Sequence, residues 1–142
     1  MIEDVTDFII GCIAGVLCWF FGGIDGFMKV LLTFTVIDYL SGVSAAYVRH
    51  ELSSEIGFKG ITKKIFIFAL VGIAHVIDKN LLGDTQALKT AVCLFYVGNE
   101  GVSILENAVH LGLPVPEALK EKLLHFTKED EVRPSKNKTV KK

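Results

Sequence analysis

The sequence predicts an all-α integral membrane protein: four transmembrane helices, a short amphipathic helix and a disordered basic tail. Three observations carry this reading. Of 142 residues, 51% are hydrophobic, and they fall in continuous blocks. The mean hydropathy is +0.47. The two clearest blocks approach the roughly 20 apolar residues that a helix needs to cross a bilayer. A soluble domain of this length would confine its apolar residues to one face of each element, so the solvent implied here is lipid.

The first span is placed at about 8–24, where Phe8 to Ile24 (FIIGCIAGVLCWFFGGI) holds no charge. Gly22, Gly23, Asp25 and Gly26 then make a tight turn. The second span, 30–48, is a nineteen-residue run from Val30 to Val48 whose sole charge is Asp38. A carboxylate at mid-depth costs roughly 2.5–3.5 kcal/mol on insertion scales and rarely faces lipid. Asp38 therefore points to a helix interface, a water-filled path or a protonatable switch. The third apolar run, Ile65 to Ile77, has only thirteen residues. It extends to about 61–79 if Lys63 and Lys64 snorkel toward the headgroups. The fourth segment, 87–107, contains Lys89, Asn99 and Glu100, so it either spans or lies partly in the interface. Together these make a membrane domain over 1–111. Gly112-Leu113-Pro114-Val115-Pro116 stops the helix. Pro116 suits the first turn of a cytoplasmic amphipathic helix (112–126), with Leu119, Leu123, Leu124 and Phe126 apolar. Residues 127–142 read as a disordered basic tail, solvated or touching anionic lipid.

Charge sets the orientation. The net charge of −1 is uninformative, because eight of the fifteen Lys and Arg lie at or beyond Lys120. The 49–64 connection holds Arg49, Lys59, Lys63 and Lys64, read as topology-determining; the opposite side has Lys29, Lys79 and Lys89. With four spans, the positive-inside bias places both termini in the cytoplasm. Three spans would split the basic loop from the basic tail. The N-terminus is not a secretory signal, since Glu3, Asp4 and Asp7 stand where basic residues belong. Cys12, Cys18 and Cys93 lie in apolar segments without metal-ligand spacing and read as small core residues.

Helical spacing reveals stripes. Gly11, Gly15, Cys18 and Gly22 share one face of the first span; Leu31, Thr35, Asp38, Gly42, Ala45 and Arg49 share one of the second. Gly11-xxx-Gly15 and Gly42-xxx-Ala46 fit small-residue helix packing, either within one chain or between subunits. Tyr96, Asn99, Ser103, Glu106 and His110 form a polar stripe, the wall of an aqueous path or the wet side of an interfacial helix. His75 and Asp78 can meet on one face, as a helix-end pair or a proton relay. No nucleophile–base–orienter set, phosphate-cradling glycine loop or zinc spacing occurs, so nothing points to an enzyme, a cofactor or a nucleic-acid partner.

Four blocks resemble the phage holin family, in its group of toxin-secretion and phage-lysis holins of Gram-positive hosts and their phages. They are Asp38-Tyr39-Leu40-Ser41-Gly42; Lys59-Gly60-Ile61-Thr62-Lys63-Lys64; Asp78; and Asn99-Glu100-Gly101-Val102-Ser103-Ile104-Leu105-Glu106-Asn107 leading into Gly112 to Pro116. The similarity covers about residues 30–125. It implies a multi-pass protein of the bacterial host's cytoplasmic (inner) membrane that homo-oligomerises into lesions, releasing an endolysin or a toxin without required direct contact. Gly11, Gly15, Asp38, Gly42, Ala46, Asn99, Glu100, Ser103 and Glu106 would then assemble or line the lesion. A small transporter or ion-channel subunit is the alternative, and it would need a partner chain or bind an ion.

Overall fold

The computed structural model describes residues 1–118, which form four helices: α1 (Ile2–Phe21), α2 (Gly26–Val48), α3 (Ser54–Leu81) and α4 (Ala87–His110). The protein is all-helical among these residues. By length and composition α1, α2 and α3 can each cross a membrane. α4 is not among them; it carries Lys89, Asn99, Glu100 and Glu106 along its 24 residues. Helical backbone resumes at Glu117 and Ala118. The rest of the expected amphipathic helix, and the expected disordered tail, lie outside the described residues.

The boundaries follow from local chemistry. α1 ends where Gly22 takes φ 67°, a left-handed conformation costly for other residues, and donates its N–H to the Cys18 carbonyl. Asp25 starts α2 by accepting the Met28 N–H at 2.9 Å. Ser53 starts α3 by accepting the Ile56 N–H at 3.2 Å, with Glu55 in the first turn of the helix. That cap begins α3 at Ser54, not at the expected 61.

The helices alternate in direction. Phe34 of α2 lies against Gly101 of α4 and Gly42 against Asn107, so α2 and α4 run parallel. Gly60 of α3 meets Tyr39 of α2, and Lys64 meets Asp38, so α3 runs opposite to them. The start of α1, the end of α2, the start of α3 and the end of α4 thus share one end of the molecule. A compact apolar core of Leu31, Ile67, Val71 and Cys93 joins α2, α3 and α4, flanked by Phe21, Phe68, Val92, Tyr96 and Val97. α1 packs only on α3, through its C-terminal turn, and buries none of its residues.

Candidate functional site

Asp38, Lys64 and Glu100 meet at the centre of the bundle. Each lies ten residues from the same end: Asp38 before Val48, Lys64 after Ser54, Glu100 before His110. At 1.5 Å per residue that is a common level about 15 Å from that end, half the depth of a hydrocarbon core. The Lys64 Nζ lies 2.6 Å from Asp38 Oδ2 and 2.5 Å from Glu100 Oε2. The side chains are only 14%, 13% and 9% exposed, in the order Lys64, Asp38, Glu100. Asn107 completes the cluster, its Nδ2 donating to Asp38 Oδ1 at 3.1 Å and to Ser41 Oγ at 2.9 Å. Two acids thus share one base.

Below this level lies the apolar core of Leu31, Ile67, Val71 and Cys93. A cleft of about 1290 Å³ opens between α2, α3 and α4, with the ion cluster in its wall. Its polar lining includes Asn99, Ser103, Glu106, Lys63 and Arg49, and its apolar lining includes Leu52, Ile56 and Phe66. Tyr39 lies against α3, its hydroxyl near Gly57 and its ring near Gly60. The bundle is therefore open at this end and sealed between α2, α3 and α4 by the apolar core at the other, where a smaller apolar groove of about 410 Å³ runs between α3 and α4.

The sealed end has a second charged network. Asp78 is fully buried on α3, and its carboxylate accepts the Lys89 N–H at 2.7 Å and the Leu88 N–H at 3.1 Å. It supplies α4 with the cap that Gln86, itself left-handed, does not provide. The buried Lys89 ammonium reaches Asp25 Oδ2 at 2.7 Å and the Gly23 carbonyl at 3.3 Å. Burial pushes the Asp25 carboxyl up, but the Lys89 ammonium and the Met28 and Phe27 N–H groups outweigh it and hold it below its ordinary range. The α1–α2 and α3–α4 turns are clamped together here.

Several sequence readings change in this setting. Lys64 does not snorkel; two carboxylates draw its ammonium inward, because α3 starts early enough to put it mid-bundle. Lys59, Lys63 and Arg49 remain exposed. Gly42 and Ala46 are engaged within the chain: Gly42 faces the Asn107 side chain and Ala46 is buried. Gly11 and Gly15 have open space around them. Asn99 and Glu100 part company, Asn99 exposed and Glu100 buried. His75 and Asp78 do not pair: Asp78 caps α4, and neither ring nitrogen of buried His75 has a hydrogen-bond partner among the described residues. Cys93 is a core residue, whereas Cys12 and Cys18 are exposed because α1 packs against so little. Among the described residues no three His, Cys, Asp or Glu side chains are placed to hold a metal ion.

Sequence comparison gives this geometry a family. An uncharacterized protein of Listeria monocytogenes is 47% identical over 124 residues, covering 87% of this chain and 88% of the relative. The uncharacterized 14.9 kDa protein in the nagH 3' region of Clostridium perfringens is 40% identical over 124 residues, covering 85% of this chain and 94% of its own. A probable holin of Bacillus phage phi105 is 32% identical over 97 residues, covering 68% of this chain and 71% of that one. No solved structure matches. The profile of the bacteriophage holin family matches residues 15–128, a stretch that holds both charged networks and the cleft, and the chain belongs to that family.

Proposed function

We propose that the protein acts as a holin: it homo-oligomerises in the cytoplasmic membrane and opens lesions through which an endolysin or a toxin leaves the cell. The observation that carries this is the cleft with two acids and one base in its wall, halfway along three helices. Polar and ionisable groups at this depth are tolerated facing protein or water, not lipid. In a single chain the cleft is open. Copies that turn their clefts toward one another would surround a shared polar space and leave apolar faces to the bilayer. The work is done by association, not by catalysis. The membrane helices suit a multi-pass protein, and the exposed Arg49 and Lys59 near the open end suit a cytoplasmic position for that end, the N-terminus and the end of α4.

Induced expression in a bacterial host, with and without a co-expressed endolysin, tests this. The expected result is abrupt loss of viability after a delay, with lysis of the culture only when the endolysin is present. Membrane accumulation to high levels with intact permeability and no endolysin release would overturn the reading.

A further inference from the structure

α1 is attached to the rest of the molecule at one small joint. Residues 2–19 are all exposed; Phe20 and Phe21 are half-buried. At the joint the Phe20 ring lies on Gly72 of α3, so closely that a Cβ at position 72 would come 1.9 Å from ring atom Cε1. One turn on, the His75 ring lies on Gly22, where a Cβ would come 2.1 Å from its Cε1. Two glycines thus form the socket. The chain leaves it through Gly22 and Gly23, both with positive φ (67° and 87°), a backbone that only glycine adopts readily. Immediately beyond, Asp25 is fixed by its cap to Met28 and its ion pair with Lys89. A pivot therefore sits between an unsupported helix and an anchored one.

The joint also carries an uncompensated group. His75 is 5% exposed with both ring nitrogens unbonded, and burying a polar ring without partners is unfavourable. Lifting α1 from the socket would open the imidazole to a partner. The docked position gains apolar contact from Phe20 and Phe21 and loses hydrogen bonding at His75.

We propose that α1 is a swinging arm, pivoting at Gly22, just ahead of the Gly23 carbonyl that Lys89 holds, between a docked and a lifted position, while α2, α3 and α4 stay joined by their two charged networks. The inference rests on the joint's geometry and not on the lysis reading. The full-length protein, with Cys12 and Cys18 replaced by Ser and Cys93 by Ala, would carry spin labels at Val5 and Glu55 in lipid vesicles. Both sites are exposed at the shared end of α1 and α3. Val5 precedes the pivot by seventeen residues, about 25 Å of helix, so a swing of about 20° moves it about 9 Å. The wild type should show two distance populations. Gly72→Ala should make the lifted one dominant, and His75→Leu should remove it. A second label pair at Tyr47 and His110 should be unchanged in both variants. One distance distribution common to all three proteins, or a shift in the second pair, would overturn the arm.

Discussion

Lys64 is the single cation between two acids, so removing it should do far more harm than removing either acid. In Lys64→Met the chain keeps the alkyl stem and loses the charge. The two oxygens that flanked the ammonium at 2.6 and 2.5 Å are no more than about 5 Å apart, which at an effective dielectric of 20 is a repulsion of about 3–4 kcal/mol. That agrees with the roughly 3–5 kcal/mol typical of breaking a buried pair on one side. Glu100→Gln instead leaves Asp38 and Lys64 as a one-to-one pair, and its expected cost is about 1–2 kcal/mol. The triple replacement Asp38→Asn, Lys64→Met, Glu100→Gln leaves no buried charge to compensate and should recover most of the loss. Denaturant titration in detergent micelles, read by helical circular dichroism, measures all three. Equal midpoints for Lys64→Met and Glu100→Gln, or a triple variant no better than Lys64→Met, would refute the two-acids-one-base account.

Other outcomes follow from the same contacts. Asp78→Ala should cost about 1–3 kcal/mol by leaving the Leu88 and Lys89 N–H groups without their acceptor, and hydrogen exchange should show α4 fraying at its first turn. The Asp25 carboxyl is held below its ordinary pKa, so its contribution to stability is complete above about pH 4 and lost as pH falls through the lower folded value; melting temperature against pH should fall less steeply there in Asp25→Asn. Asp38→Asn should reach the membrane at wild-type levels yet shift or abolish lysis timing, because it cannot ionise; unchanged timing would make Asp38 a hydrogen-bonding residue only. Single cysteines at Ser54 and Ser135 should both resist an impermeant thiol reagent in spheroplasts before lysis, and labelling of one alone would separate the loop from the tail.

Much of the helical frame was legible in the residues. The uncharged block from Phe8, the Gly22 to Gly26 turn and the long run around Asp38 each map onto an observed helix or connection. The ion cluster was half-visible. Asp38 and Glu100 stood out as charges in apolar surroundings, but Lys64 looked like a headgroup residue because its apolar run was counted from Ile65. The missed signal was Ser53 followed by Glu55 in the first turn, which starts α3 at Ser54 and so puts Lys64 ten residues into the helix. Asp78 capping α4 from another helix had no local signature, since the acceptor and its donors are ten and eleven residues apart across a turn. In sequence His75 pairs with its neighbour on the helix face, whereas its environment is set by Gly22, fifty-three positions away. Such contacts depend on how helices are placed, and periodicity along one helix cannot report them.

The two charged networks divide the molecule's tasks. At the sealed end every strong contact is one-to-one or saturated: Lys89 with Asp25, Asp78 with two N–H groups. These contacts are complete and hold the Gly23 to Asp25 segment against the start of α4; His75, whose ring nitrogens lack partners among the described residues, is the exception at this end. At mid-bundle the balance is uneven, with two carboxylates on one ammonium and Asn107 bridging Asp38 to Ser41. A cluster with surplus acid is the one that water, a proton or a polar neighbour can rearrange. It also sits where the cleft gives those partners access. The same three helices therefore carry a rigid end that preserves the bundle and an adaptable end able to change company. A holin acting as proposed, inert in the membrane and later open, would need both, and here they are separated by the apolar layer of Leu31, Val71 and Cys93.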